Sequence, residues 1–132
     1  MLDRLSRTLE PHVRAISLRG ARSEVLAANI ANADTPHYQA RDFDFRAAYL
    51  GKLKAADLAL ARTSERHLPA TGGRGATPEL AWRVPVQPSI DGNTVEVDAE
   101  VGRYSDNALR YQAAIQFTSL KIRSLMGAIQ GQ

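Results

Sequence analysis

Two long stretches of the chain carry an apolar residue every three or four positions, and a stretch of different character separates them. Toward the C-terminus the series is Val97, Val101, Tyr104, Ala108, Tyr111, Ile115, Thr118, Ile122, Leu125 and Ile129, in alternating steps of four and three. Such spacing draws a stripe down one side of a helix that lies lengthwise against another helix. It predicts a helix from Val95 to about Ala128, roughly 50 Å long at about 1.5 Å per residue. Asp91-Gly92-Asn93-Thr94 reads as its start, with a turn at Gly92 and with Asn93 or Thr94 as acceptors for the first free N–H groups. Glu96, Asp98 and Glu100 suit the positive helix end, while Gly127 and Gly131 favour termination.

At the other end Leu2, Leu5, Leu9, Val13, Ile16, Gly20, Ser23, Ala27 and Ile30 repeat the pattern and predict a second long helix. Pro11 falls within it, so a kink or a helix start is expected there. Gly20, Ser23 and Ala27 are small enough to let another helix approach closely, and Asn32 to Pro36 should end the helix. Leu109, Ala113, Phe117 and Leu120 add a second apolar line to the C-terminal helix. That face is wider than one partner helix covers. Periodicity alone leaves open whether a small bundle or an assembly buries it.

Between the two stretches, Tyr49 to Arg62 reads as a short helix and Leu80 to Val86 as a strand that Pro85 confines to an edge. Thr71-Gly72-Gly73-Arg74-Gly75 is not expected to hold regular structure. The expected fold is therefore mainly α. Long N- and C-terminal helices pack as a coiled-coil-like pair around a short, irregular, β-containing middle segment. A single domain is expected, divided into 1–35 for the first helix and its turn, 36–93 for the middle, and 94–132 for the last helix.

Composition narrows the chemistry. With 132 residues, 44% of them hydrophobic, the chain suits one modest domain or one subunit of an assembly. There is no cysteine, which excludes disulfides, thiolate metal sites and cysteine nucleophiles. His12, His37 and His67 are too scattered for a helical metal pair. Asp42 and Asp44 alternate as on an extended segment, and no phosphate loop, dinucleotide fingerprint or nucleophile elbow occurs. No enzyme activity, metal or cofactor is expected. Nor does any run approach the roughly 20 apolar residues that cross a bilayer, or form a cleavable signal peptide. The chain is therefore expected to leave the cytoplasm, if it does, without signal cleavage.

Seventeen Lys and Arg against fourteen Asp and Glu give a net charge of +3. Arg4, Arg7, Arg14, Arg19 and Arg22 could contact phosphates, which makes a helical nucleic-acid-binding or regulatory module the alternative reading. Asp3, Glu10 and Glu24 interrupt that basic face, however, so a solvated surface or salt bridges between packed subunits explain it better. A small hydrolase in the middle segment, using Asp42, Asp44 or His67, is a further rival.

One run is more specific. Leu26-Ala27-Ala28-Asn29-Ile30-Ala31-Asn32-Ala33-Asp34-Thr35-Pro36-His37-Tyr38-Gln39-Ala40-Arg41-Asp42-Phe43 closely resembles the signature of flagellar rod and hook proteins. In that signature an asparagine precedes Ala-Asn, with a threonine three residues on and a tyrosine three beyond, matched here by Asn29, Ala31, Asn32, Thr35 and Tyr38. Arg66-His67-Leu68, Asp91-Gly92-Asn93-Thr94-Val95 and Asn107-Ala108-Leu109-Arg110-Tyr111-Gln112 extend the likeness over most of the chain. His37 departs from it, standing where the family usually has glycine. If that glycine serves a positive-φ turn, His37 has to adopt the same backbone.

The resemblance implies a structural subunit of the proximal flagellar rod in the bacterial periplasm. Such a subunit is exported by the flagellar type III apparatus and transmits torque within a helical tube. Implied partners are other copies of the chain, other rod proteins, the rod adaptor FliE, and the membrane-ring and export-gate proteins. Neither nucleic acid, nor a small-molecule substrate, nor membrane insertion is implied. The residues expected to matter are the turn Asn29, Ala31, Asn32, Thr35, Pro36 and Tyr38 and the seam positions. On the first helix these are Val13, Ile16, Gly20, Ala27 and Ile30. On the last they are Val101, Tyr104, Ala108, Tyr111, Ile115, Ile122 and Leu125.

Overall fold

The computed structural model describes residues 2–57, 78–85 and 89–131. Helix α1 spans Leu2–Ala31, strand β1 Arg41–Asp42, helix α2 Phe45–Asp57, strand β2 Ala81–Trp82 and helix α3 Val97–Gln130. The long terminal helices pack together, and they run antiparallel, since Asn29 meets Glu100 while Arg19 and Ser23 meet Asn107. Pro11 lies inside α1, so the helix does not begin at it.

At the start of α3 the structure corrects the sequence reading. Its N-cap is Glu96, which makes no side-chain capping bond, and Asn93 and Thr94 lie ahead of the helix. Asp98 and Glu100 do fall in its first turn. At the far end Gly131 takes a left-handed backbone (φ 74°) and donates its N–H to the Gly127 carbonyl, a closure suited to a residue without Cβ. Gly127 itself stays within the helix.

The middle segment is tied to α1. Strands β1 and β2 form an antiparallel pair with Arg41 opposite Trp82 and Asp42 opposite Ala81, and the Arg83 N–H extends it to the Ala40 carbonyl at 2.9 Å. The Arg41 guanidinium lies 4.2 Å above the Trp82 ring. Asp44 caps α2 through the Arg46 and Ala47 N–H groups, so that helix starts four residues before the expected Tyr49. Residues 58–62, the Thr71–Gly75 run and Val86 lie outside the described residues.

Among the described residues, Leu18, Leu26, Ala40 and Phe43 are the buried apolar side chains, all on α1 or the segment just after it. Against these stand, among the described residues, four buried polar ones, Asn29, Asn93, Glu100 and Asn107. The interior between the terminal helices is therefore held by hydrogen bonds and ion pairs as much as by apolar packing.

Candidate assembly interface

The turn after α1 is built outward from Asn29, which is fully buried. Its amide nitrogen donates to the Arg41 carbonyl at 2.8 Å and to Glu100 at 3.0 Å. Its oxygen accepts from the Arg41 N–H at 3.1 Å and the Tyr38 hydroxyl at 3.4 Å. One side chain thus joins α1, β1 and α3, which is more than stopping a helix. Asn32 performs the stop, donating to the Ala28 carbonyl and accepting from Thr35 Oγ1. Ala31 closes the helix at an exposed position, and exposed Pro36 directs the exit.

Asn93 completes this turn from sixty residues away. Its amide nitrogen faces the carbonyls of Asn32, Ala33 and Thr35 at 2.7–3.1 Å. These carbonyls belong to the turn that follows α1, where that of Asn32 also accepts the Thr35 N–H. Thr94 likewise accepts the Ala40 N–H through its hydroxyl at 2.8 Å. Residues that read as a cap for α3 therefore finish α1 and its exit strand. His37 has φ 60°, the backbone that its glycine-like place requires, and donates its N–H to the Asp91 carbonyl. Opposite it Gly92 has φ 72°, and a Cβ there would sit 2.9 Å from His37 Nδ1.

Beside Asn29 lies a charge cluster. Arg22 grips Asp42 with two bonds of 3.0 and 2.8 Å, Arg83 bridges Asp42 and Glu100, and Arg103 reaches Glu100 at 2.8 Å. Burial pushes the Asp42 carboxyl up, but Arg22, the Phe43 N–H and Arg83 together outweigh it and hold the carboxyl below its ordinary range. The bond to Asp42 raises Arg22 in turn, while burial, then Arg103, lowers Arg83. Three guanidinium groups share two carboxylates, and both oxygens of Glu100, whose side chain is 1% exposed, have partners in Arg83, Arg103 and Asn29.

The seam positions fall differently. Ile16, Gly20 and Ile30 on α1 are half-buried, as are Ala108, Tyr111 and Leu125 on α3. Val13 and Ala27 are exposed, and so are Val101, Tyr104, Ile115 and Ile122 at 40–46%. On α3 the fully buried positions are Glu100 and Asn107, each one residue before an expected apolar contact. Within one chain the helix pair is thus rotated toward its polar line. Val97, Val101, Ile115 and Ile122 are left along one flank, with Leu109, Phe117 (64% exposed) and Leu120 (57%) along another.

A family model described as "Flagella basal body rod protein" matches residues 9–39, most of α1 together with the Asn29 turn. The flagellar basal body rod protein FlgB of Proteus mirabilis (strain HI4320) is 45% identical, with 98% of each chain aligned. The chain belongs to the FlgB family of flagellar basal body rod proteins. FlgB of Salmonella typhimurium is 43% identical over 99% of each chain, and that of Cereibacter sphaeroides 44% over 92%. A FlgB chain is a structural subunit of the basal body rod, assembling with other rod proteins, and the nucleic-acid alternative finds no support among these relatives.

For a FlgB subunit, sequence reasoning found the Asn29 turn and the two helices but missed the cluster that joins them. Arg83 carried no signal, standing alone in a short edge segment. Glu100 reads as macrodipole compensation, and Asn107 stands out only within the family likeness, with Ala108 beside it as the expected seam position. Among the described residues no group of His, Asp and Glu could hold a metal ion, and no helix is long and apolar enough to cross a membrane.

Proposed function

We propose that this subunit polymerises through α1 and α3 to form part of the axial tube of the proximal rod, and that its mechanism is load transmission through packed interfaces rather than catalysis. The observation that carries this reading is the exposure of apolar side chains on two flanks of α3. Ile115, Ile122, Phe117 and Leu120 are all at least 40% exposed in the single chain. Exposed apolar lines of that extent call for neighbouring helices. Two flanks can engage two neighbours, as a closed tube wall requires. The seam residues and the Asn29–Tyr38 turn are then assembly positions, the turn fixing the angle at which the middle segment leaves the helix pair. We extend the reading to FliE, membrane-ring and export-gate proteins as neighbours, to a periplasmic rod, and to export without signal cleavage.

Ile115→Asp and Ile122→Asp place an unpaired carboxylate in the stripe, at a cost of several kcal/mol if it is buried on assembly. Cells whose only copy carries either change should form no rods by electron microscopy of basal bodies and should not swim. Wild-type rods and motility in both would sink the reading.

A further inference from the structure

We infer that the outer edge of β2 is a strand-docking site for an extended segment of another rod protein, one that is apolar at alternate positions and carries a lysine or arginine to meet Glu79. In an antiparallel pair the N–H and C=O of successive residues point alternately toward the partner strand and away from it. Asp42 pairs with Ala81, and the Arg83 N–H reaches the Ala40 carbonyl, so Ala81 and Arg83 are the inward residues of β2. Trp82, between them, directs its N–H and C=O outward. On β1 the matching outward groups are those of Arg41, and the Asn29 side chain takes both, its nitrogen on the carbonyl and its oxygen on the N–H. One edge of the sheet is thus closed by an amide that imitates a further strand. The opposite edge has no such cover among the described residues, where β2 pairs with β1 alone.

The side chains agree with an open edge. Leu80, Trp82 and Val84 share one face of the extended segment and are 43, 59 and 86% exposed. Edge strands are ordinarily protected by charge, by a bulge or by proline. Here the outward residues are apolar. Pro85 falls at an inward position, where its missing N–H ends the pairing with β1 and leaves the outer edge untouched. An added strand gains affinity from main-chain hydrogen bonds and specificity from its alternate side chains. Positions opposite Leu80, Trp82 and Val84 therefore suit apolar residues. On the other face Glu79 is exposed and forms no ion pair among the described residues, so the position opposite it suits a cation. The β2 of a second copy does not supply that segment. With Trp82 across from its counterpart, Glu79 faces Pro85; shifted by two residues it faces Arg83, already held by Asp42 and Glu100.

The occupant rests on the rod reading; the open edge does not. Hydrogen exchange, resolved to single amides by mass spectrometry with electron-transfer fragmentation, is measured on the purified full-length chain and on basal bodies from cells carrying it. In the purified chain the Trp82 amide should exchange faster than those of Ala81 and Arg83, and in basal bodies it should slow by about tenfold or more. Trp82→Pro removes the outward N–H and no bond to β1, whereas Trp82→Val removes the ring and keeps the N–H. Swimming should be lost in the first and largely kept in the second, with both purified chains equally helical; if the proline variant does not fold, the exchange data decide. A photo-crosslinking phenylalanine analogue in place of Val84 should join the chain, in basal bodies, to an extended segment of another rod protein. A Trp82 amide already slow in the purified chain, or still fast in basal bodies, overturns the proposal. So does a crosslink to a helix or to a second copy. Absence of the chain from basal bodies would instead remove the rod reading and the occupant with it, while the open edge would stand or fall on the purified chain.

Discussion

His37 and Gly92 hold left-handed backbones face to face where the chain leaves α1 and where it returns. A side chain is tolerated at His37 because its exposed imidazole points into the space left by a hydrogen at Gly92. Gly92→Ala meets both a positive φ and a contact of 2.9 Å, and should cost about 1–3 kcal/mol, read as a lowered thermal midpoint. Adding His37→Gly should recover part of that loss, because it removes the clash and one strained backbone; strict additivity of the two changes would show that the faces do not interact. The sequence made His37 visible as a residue in a glycine's place but could not reveal its partner, since the contact is made across more than fifty residues. Asp42 gives a second prediction at this scale. Its carboxyl is held below the ordinary value near 4, so it binds its proton more readily in the unfolded chain than in the folded one. The stability it contributes is present above that value and is lost as pH falls through the depressed one. Acid titration of the folded fraction should therefore show a steep limb below about pH 4 that Asp42→Asn flattens; an unchanged limb would mean that Arg22 and Arg83 do not stabilise the anion.

The helices themselves were legible because the three-and-four repeat persists over some thirty residues at each end, long enough to outweigh Pro11 in the first. Which side of each helix would be buried was harder to read. Apolar stripes report every surface that ends up dry, whether against the same chain or another, and hydrophobicity does not tell the two apart. Here the intrachain contact took the polar line through Glu100 and Asn107 and left much of the apolar line on the outside. The first turn of α3 misled for a related reason. Asn93 and Thr94 have the chemistry of caps, yet cap an element far away in sequence, and spacing along the chain carries no trace of that. The short strands were half visible: the segment around Trp82 reads as extended, but its partner Arg41 was hidden in the family motif. At this scale the tie between elements is open to test. Glu100→Ala should leave Arg83 partly buried without its bridge and Asn29 short of an acceptor, costing about 3–5 kcal/mol, the range seen when one partner of a buried pair is removed. The loss should appear as earlier amide exchange along the first turns of α3, while exchange near Gly131 stays as before.

As a whole molecule the chain is a hairpin of two helices with a junction at one end, and the junction is where its buried polar residues and its family signature coincide. That coincidence is why a short motif could carry the reading of function: Asn29, Asn32 and Tyr38 are the residues around which everything nearby is assembled. The same junction has a consequence for how such subunits can diversify. The His37 N–H reaches the Asp91 carbonyl, and the Thr94 N–H reaches the Tyr38 carbonyl at 3.0 Å. The chain thus departs and re-enters through a single doorway, beside which Ala40 to Phe43 and Arg83 are anchored, and any length added between Phe43 and Arg83 is, topologically, an annexe. Lengthening or shortening an annexe does not move the doorposts.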